Sequence, residues 1–131
     1  MATRPKVRAF LLCDAAVTDG ASGKTTLVGI FDRVVATSYP VICASFAVYF
    51  KVSDLNGTYG FDVVFVAPDL VTVVGRLPFQ GTITVDNPLV PFENTGNVQG
   101  LKLSAAGRYT VRLMYNGLVA DEFSVEATEQ P

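Results

Sequence analysis

The chain has no histidine and no tryptophan. Lacking histidine, it lacks the commonest general base and every Ser-His or Cys-His pairing used in nucleophilic catalysis. Only four lysines occur, and none has a serine at a spacing that suggests partnership. A hydrolase would need a cleft bringing Lys24 or Lys102 to a serine or carboxylate, and no Gly-x-Gly-x-x-Gly cofactor fingerprint is present. No enzyme, no catalytic residue and no cofactor are expected. The absence of tryptophan also weakens a carbohydrate site, since such sites usually present an exposed aromatic ring.

Charge is scarce as well. Charged residues make up 17% of the chain, the net charge is −2 and the isoelectric point is near 4.9. No cluster of Lys or Arg of the kind used on phosphates stands out, so nucleic acid is not an expected partner. No run reaches the ~18 apolar residues of a membrane span, so no membrane is expected either. The five apolar residues Ala9 to Cys13 follow basic residues but fall short of the ~7–15 of a secretory leader. A lipoprotein cysteine would follow a small residue, where Leu12 stands. The expected location is the cytoplasm. There Cys13 and Cys43, with no histidine and no second cysteine within zinc-ligand spacing, are expected as buried thiols rather than a disulfide.

What the sequence has in abundance is alternation. Half of its 131 residues are apolar, enough for one domain, residues 1–131, that buries about two-thirds of its unfolded surface. Strands are predicted near Val7–Cys13, Thr25–Phe31, Ser45–Val52, Tyr59–Val66, Val71–Leu77, Gln80–Val85, Val98–Leu103, Arg108–Tyr115 and Val119–Ala127. Gly-, Asn-, Asp- and Pro-containing connections separate them, and no stretch carries a helical period. The expected fold is all-β: an antiparallel immunoglobulin-like or related Greek-key β-sandwich of eight to nine strands. Its centre should be Phe46, Val48, Phe50 and Val52 packed with Tyr59, Phe61, Val63 and Phe65.

The last two strands meet at Asn116-Gly117, a strong hairpin signal because both residues tolerate positive φ. A two-residue loop would set Val111 against Glu122 and mix wet and dry faces. A three-residue loop, Tyr115-Asn116-Gly117, sets Leu113 against Val119 and Tyr109 against Phe123, and is preferred. It turns Asp121 toward the core, where it would need a sheet end or a hydrogen-bond partner.

Two motifs fail on their mechanics. Gly20 to Thr26 ends like a phosphate-binding loop, but Thr18 stands where the first glycine belongs and the following residues are β-rich rather than helical. Asp14, Asp19, Asp32, Asp54, Asp69 and Asp86 sit at turns without the close Asp-x-Asp pairs of a calcium site, so no metal is expected.

The candidate surface is apolar. Val7, Ala9, Leu11 and Cys13 line one face of the first strand while Phe10 and Leu12 occupy the other, and Val28 and Ile30 repeat the effect. The second face needs a cover, either the loop Asp86 to Asn97 or the chain ends, or else another subunit. That loop carries two prolines and exposed-looking Leu89, Val90 and Phe92, suited to docking or to closing the core. The candidate interface is therefore Phe10, Leu12, Val28, Ile30, Leu89, Val90 and Phe92.

Cys13-Asp14, Gly23-Lys24, Leu27-Val-Gly-Ile-Phe-Asp32, Pro40 and Gly107-Arg-Tyr-Thr-Val-Arg-Leu-Met-Tyr-Asn-Gly117 together resemble a family of small uncharacterised bacterial proteins, a domain of unknown function. The resemblance spans nearly the whole chain, rests on turns and strand ends, and implies a bacterial cytoplasmic β-sandwich without an activity. The function expected is a non-enzymatic protein-interaction or structural assembly module, with a protein partner or self-association through the apolar face or loop. The alternative is a small-ligand or carbohydrate-binding β-sandwich.

Overall fold

A computed structural model describes residues 2–130, and among them are thirteen strands and no helix. They are β1 (Lys6–Thr18), β2 (Thr25–Phe31), β3 (Arg33–Ala36), β4 (Val41–Ile42), β5 (Phe46–Ser53), β6 (Gly57–Tyr59), β7 (Phe61–Val66), β8 (Val73–Pro78), β9 (Ile83–Val85), β10 (Phe92–Val98), β11 (Lys102–Leu103), β12 (Gly107–Tyr115) and β13 (Leu118–Glu129). A four-stranded sheet runs β10-β5-β1-β2 and a five-stranded sheet runs β3-β13-β12-β7-β8. Two-stranded ribbons, β11-β4 and β6-β9, flank them. The expectation of eight to nine antiparallel strands is corrected twice. Short strands raise the number, and β3 pairs parallel with β13 through Arg33↔Glu126 to Ala36↔Glu129.

The predicted centre is the core. Phe46, Val48, Phe50 and Val52 of β5 are buried, as are Tyr59, Phe61, Val63 and Phe65. Rings reach across between the two large sheets, with Phe50 and Phe61 at 5.1 Å, Phe46 and Phe65 at 6.0 Å, and Phe10 and Phe123 at 4.8 Å between centroids.

The terminal hairpin differs from both registers drawn from the sequence. Asn116 and Gly117 do form a two-residue turn, with φ of 49° and 81°, between Tyr115 and Leu118. A register shift then follows, with Met114 opposite Val119 and Leu113 opposite Asp121. The extra residue is therefore Ala120 on β13, not Tyr115 in the loop. It returns Tyr109 to Val125 and Val111 to Phe123, keeping apolar side chains on one face. Asp121 is exposed and Ala120 takes the buried place. The carbonyls of Val119 and Ala120, at the irregularity, accept from Arg4 at 3.2 and 3.1 Å. Unpaired ladder groups thus find a charged donor.

A second bulge corrects the first strand. The β1-β5 register shifts between Val7 and Ala9, and the Arg8 Nε donates to the Ser53 Oγ at 2.8 Å. One added residue reverses the alternation. Val7, Phe10 and Leu12 consequently pack on the core, and Leu11 and Cys13 lie on the other face of the sheet, where Cys13, itself buried, pairs with Ala47 on one side and Ile30 on the other.

On this outer face the Tyr49 hydroxyl donates to the Glu93 carboxylate. Burial, and then the hydrogen bond to Glu93, push the Tyr49 phenol up from 10.0 to about 12. A raised value means that the folded chain holds this proton more tightly. The resulting stability is complete below about pH 10 and is lost as pH rises through about 12. Phenolate absorbance during alkaline titration should show a late tyrosine near pH 12 that is absent in Tyr49→Phe. Identical titration curves for the two proteins would refute the assignment.

Candidate functional site: an apolar cavity at one end of the sheets

The two large sheets part around a cavity of about 360 Å³ near the start of β5, the end of β7 and the start of β12. Its deep wall comes from Leu12, Phe65, Leu103, Tyr109, Val111 and Val125, all buried. Val34 of β3, Val41 of β4 and Leu101 close the sides. The β11-β4 ribbon, extended by the Cys43 N–H donating to the Leu101 carbonyl at 2.8 Å, forms one flank. Gly75 admits the Leu101 side chain, since a Cβ there would lie 2.6 Å from Leu101 Cδ1.

Polar groups are few in the depth. The Tyr109 hydroxyl is already committed, donating to the Ala105 carbonyl at 2.7 Å. Cys43 lines the wall as a free, half-buried thiol, and burial pushes its pKa up. Cys13, also free, is fully buried elsewhere, and burial and then the neighbouring Asp14 charge raise its pKa. The thiolate is the nucleophilic form, so both thiols are muted. Toward solvent the lining changes to Asp14, Arg33, Val35, Ile42 and Ser45, all exposed.

The residues singled out from the sequence fall into three groups. Leu12 is 2% exposed and belongs to the core, which corrects its place on an exposed interface. Phe92 is likewise corrected: it opens β10, pairs with Val52 and stacks on Phe61 at 5.7 Å. The segment Asp86 to Asn97 is thus not one loop, because its second half is a strand on β5. Phe10, Leu12 and Ile30 do come together, with Phe31 and Phe123, along a second depression of about 390 Å³. Val28 and Ile30 are exposed on the outer face, and Leu89 and Val90 are exposed at the β9-β10 turn, where Asn87 Oδ1 accepts from the Leu89 N–H at 3.0 Å. The sequence reading missed Val34, Val41, Leu101 and Leu103 as a group. Their only signal was apolar residues in short runs that no alternation joined.

The fold has a counterpart among solved structures. Pseudomonas fluorescens alkylpurine DNA glycosylase AlkC, bound to DNA containing an abasic site analog, matches with a TM-score of 0.56 at 8% identity. The match covers 95% of this chain and 30% of the glycosylase, so the chain spans about a third of that protein's length. This corrects the partner expectation, which had excluded nucleic acid on charge: the same fold forms part of a protein solved on DNA. Net charge averages over a surface, and the pairing of β1 with β5 gathers Lys6, Arg8 and Lys51 at one sheet end, a grouping that the linear sequence hides. No curated protein matches the chain in sequence. The turns and strand ends that carry the sequence resemblance fall within a match over residues 8–128 to DUF6941, a family of unknown function, and the chain belongs to that family.

Proposed function

We propose that the chain is a non-enzymatic binding module of the cytoplasm that takes a small, largely apolar molecule into the cavity between its sheets. The observation that carries this reading is the cavity itself. Its 360 Å³ falls within the ~300–1,000 Å³ range of small-molecule sites. It is also more than twice the ~150 Å³ of an apolar cavity that stays dry and takes benzene. The muted Cys43 thiol and the committed Tyr109 hydroxyl leave nothing at depth for covalent or acid-base chemistry, which favours binding over turnover. Two unpaired cysteines suit a reducing compartment.

The protein-assembly reading keeps Val28, Ile30, Leu89 and Val90 at the surface, but it loses Leu12 and Phe92 to the core and has no bounded site. We further read the two sheets as an immunoglobulin-like Greek-key sandwich. Support comes from the Tyr109 hydroxyl bonded to a carbonyl four residues upstream, in the manner of a tyrosine corner, and from β3 lying parallel to the last strand.

Calorimetry with decanol and with an anilinonaphthalene sulfonate dye tests the ligand reading. Saturating probe should raise Tm, with stabilisation of about 2.7 kcal/mol at a hundredfold excess over Kd, and should slow alkylation of Cys43. Cys43→Phe, which fills the cavity from its wall, should abolish binding while circular dichroism stays unchanged. Failure of both probes to shift Tm, or undiminished binding by Cys43→Phe, would overturn it. Labelled single- and double-stranded DNA belongs in the same experiment, and retention of DNA would move the function to nucleic acid.

A further inference from the structure

We infer that the molecule held in the cavity is a zwitterionic amphiphile, with an aliphatic chain inside, an anionic group against Arg33 and an ammonium against Asp14. This rests on the ligand reading above and adds the chemistry of the head group. The lining grades from buried aliphatic and aromatic side chains to an exposed rim, so an occupant enters by one end and leaves its other end in water. Two rim residues bear opposite charges. Neither is spent on another residue, since the ion pairs among the described residues join Arg76 to Asp62, Arg108 to Glu126 and Arg112 to Glu122.

The register explains why Arg33 stands free. Its partner across the parallel ladder is Glu126, and the Glu126 carboxylate accepts from the Arg108 Nε at 3.0 Å. Asp14 is positioned from the other side. Its carboxylate lies over Gly29, whose φ is +70°, and a Cβ at that glycine would stand 2.2 Å from Asp14 Oδ2. The missing side chain on β2 thus provides the space in which the Asp14 carboxylate rests at the rim. Ser45 adds a hydroxyl able to donate or accept. A few polar groups around an apolar pocket fix the orientation of its ligand, and a cation and an anion on one rim match a head carrying both signs better than a head carrying one.

Titration calorimetry with 2-aminodecanoate, decanoate, decylamine and decanol separates the parts. The zwitterion should bind tightest, about tenfold over decanoate or decylamine and about a hundredfold over decanol, one net charge-assisted contact for each head-group charge. Arg33→Gln should weaken 2-aminodecanoate and decanoate about tenfold and leave decylamine unchanged, while Asp14→Asn should weaken the two amines and spare decanoate. Circular dichroism and native Cys43 alkylation check that each variant folds. If decanol equals the zwitterion and both variants bind as the wild type, the head-group inference fails and the cavity reading stands. Should decanoate bind best and gain from Asp14→Asn, the ligand is a simple anion and the inference also fails. Binding of none of the four removes the cavity reading itself.

Discussion

Phe50→Ala should cost about 3–5 kcal/mol, the range for deleting a buried aromatic ring. Phe50 is fully buried on the central strand β5. Its ring lies 5.1 Å from Phe61, 5.1 Å from Phe79 and 6.0 Å from Phe92, so it joins both sheets to the segment beyond β8. A void left in a close-packed interior keeps its cost where the surroundings relax only in part. Against a total of about 5–15 kcal/mol for a domain, the variant should melt roughly 10–20 °C lower. Urea unfolding measures the loss directly, and a change in midpoint equivalent to under ~1 kcal/mol would show that the aromatic cluster does not bind the sheets together.

Leu12→Ser and Ile30→Ser should part company completely, although the sequence places both on a single candidate interface. Leu12 is 2% exposed and sits in the core, so the substitution removes several buried methyl and methylene groups and leaves a hydroxyl without a partner, for a total of about 3–5 kcal/mol. Ile30 is 62% exposed, and the same change there should stay within about 0.5 kcal/mol. Far-ultraviolet circular dichroism and light scattering on the two variants decide the matter. A folded Leu12→Ser protein of reduced mass would restore that residue to an assembly surface, whereas an unfolded one fixes it in the core.

The difference between these two residues marks where sequence reading stops. Strict alternation over Phe46 to Val52 and Tyr59 to Phe65 made the core legible, because in an uninterrupted strand a period of two translates directly into faces. The Asn116-Gly117 turn was legible for the same local reason. A bulge adds one residue with no compositional mark, so the shift next to Arg8 parted Val7 from the face of Leu11 and Cys13 that alternation had given it, and the shift at Ala120 put Ala120 rather than Asp121 on the buried face. Strand β10 was hidden differently: Glu93, Asn94, Thr95, Gly96 and Asn97 read as a loop, and only the neighbouring β5 gives them a ladder. The cavity was the least legible feature, since β1, β2, β3, β4, β5, β7, β11, β12 and β13 each contribute only one to three side chains to it.

The parallel ladder of residues 33–36 on 126–129 carries a kinetic consequence. Closing it means joining segments from near the two ends of the chain, the kind of remote contact that slows folding. During synthesis, at about 5–20 residues per second, β3 waits for seconds with its final neighbour not yet made. Val34 on β3 and Val125 on β13 both wall the cavity, so the pocket is completed only when the C-terminal strand docks. A chain truncated before β13 could keep much of the central packing and still have nowhere to hold a ligand.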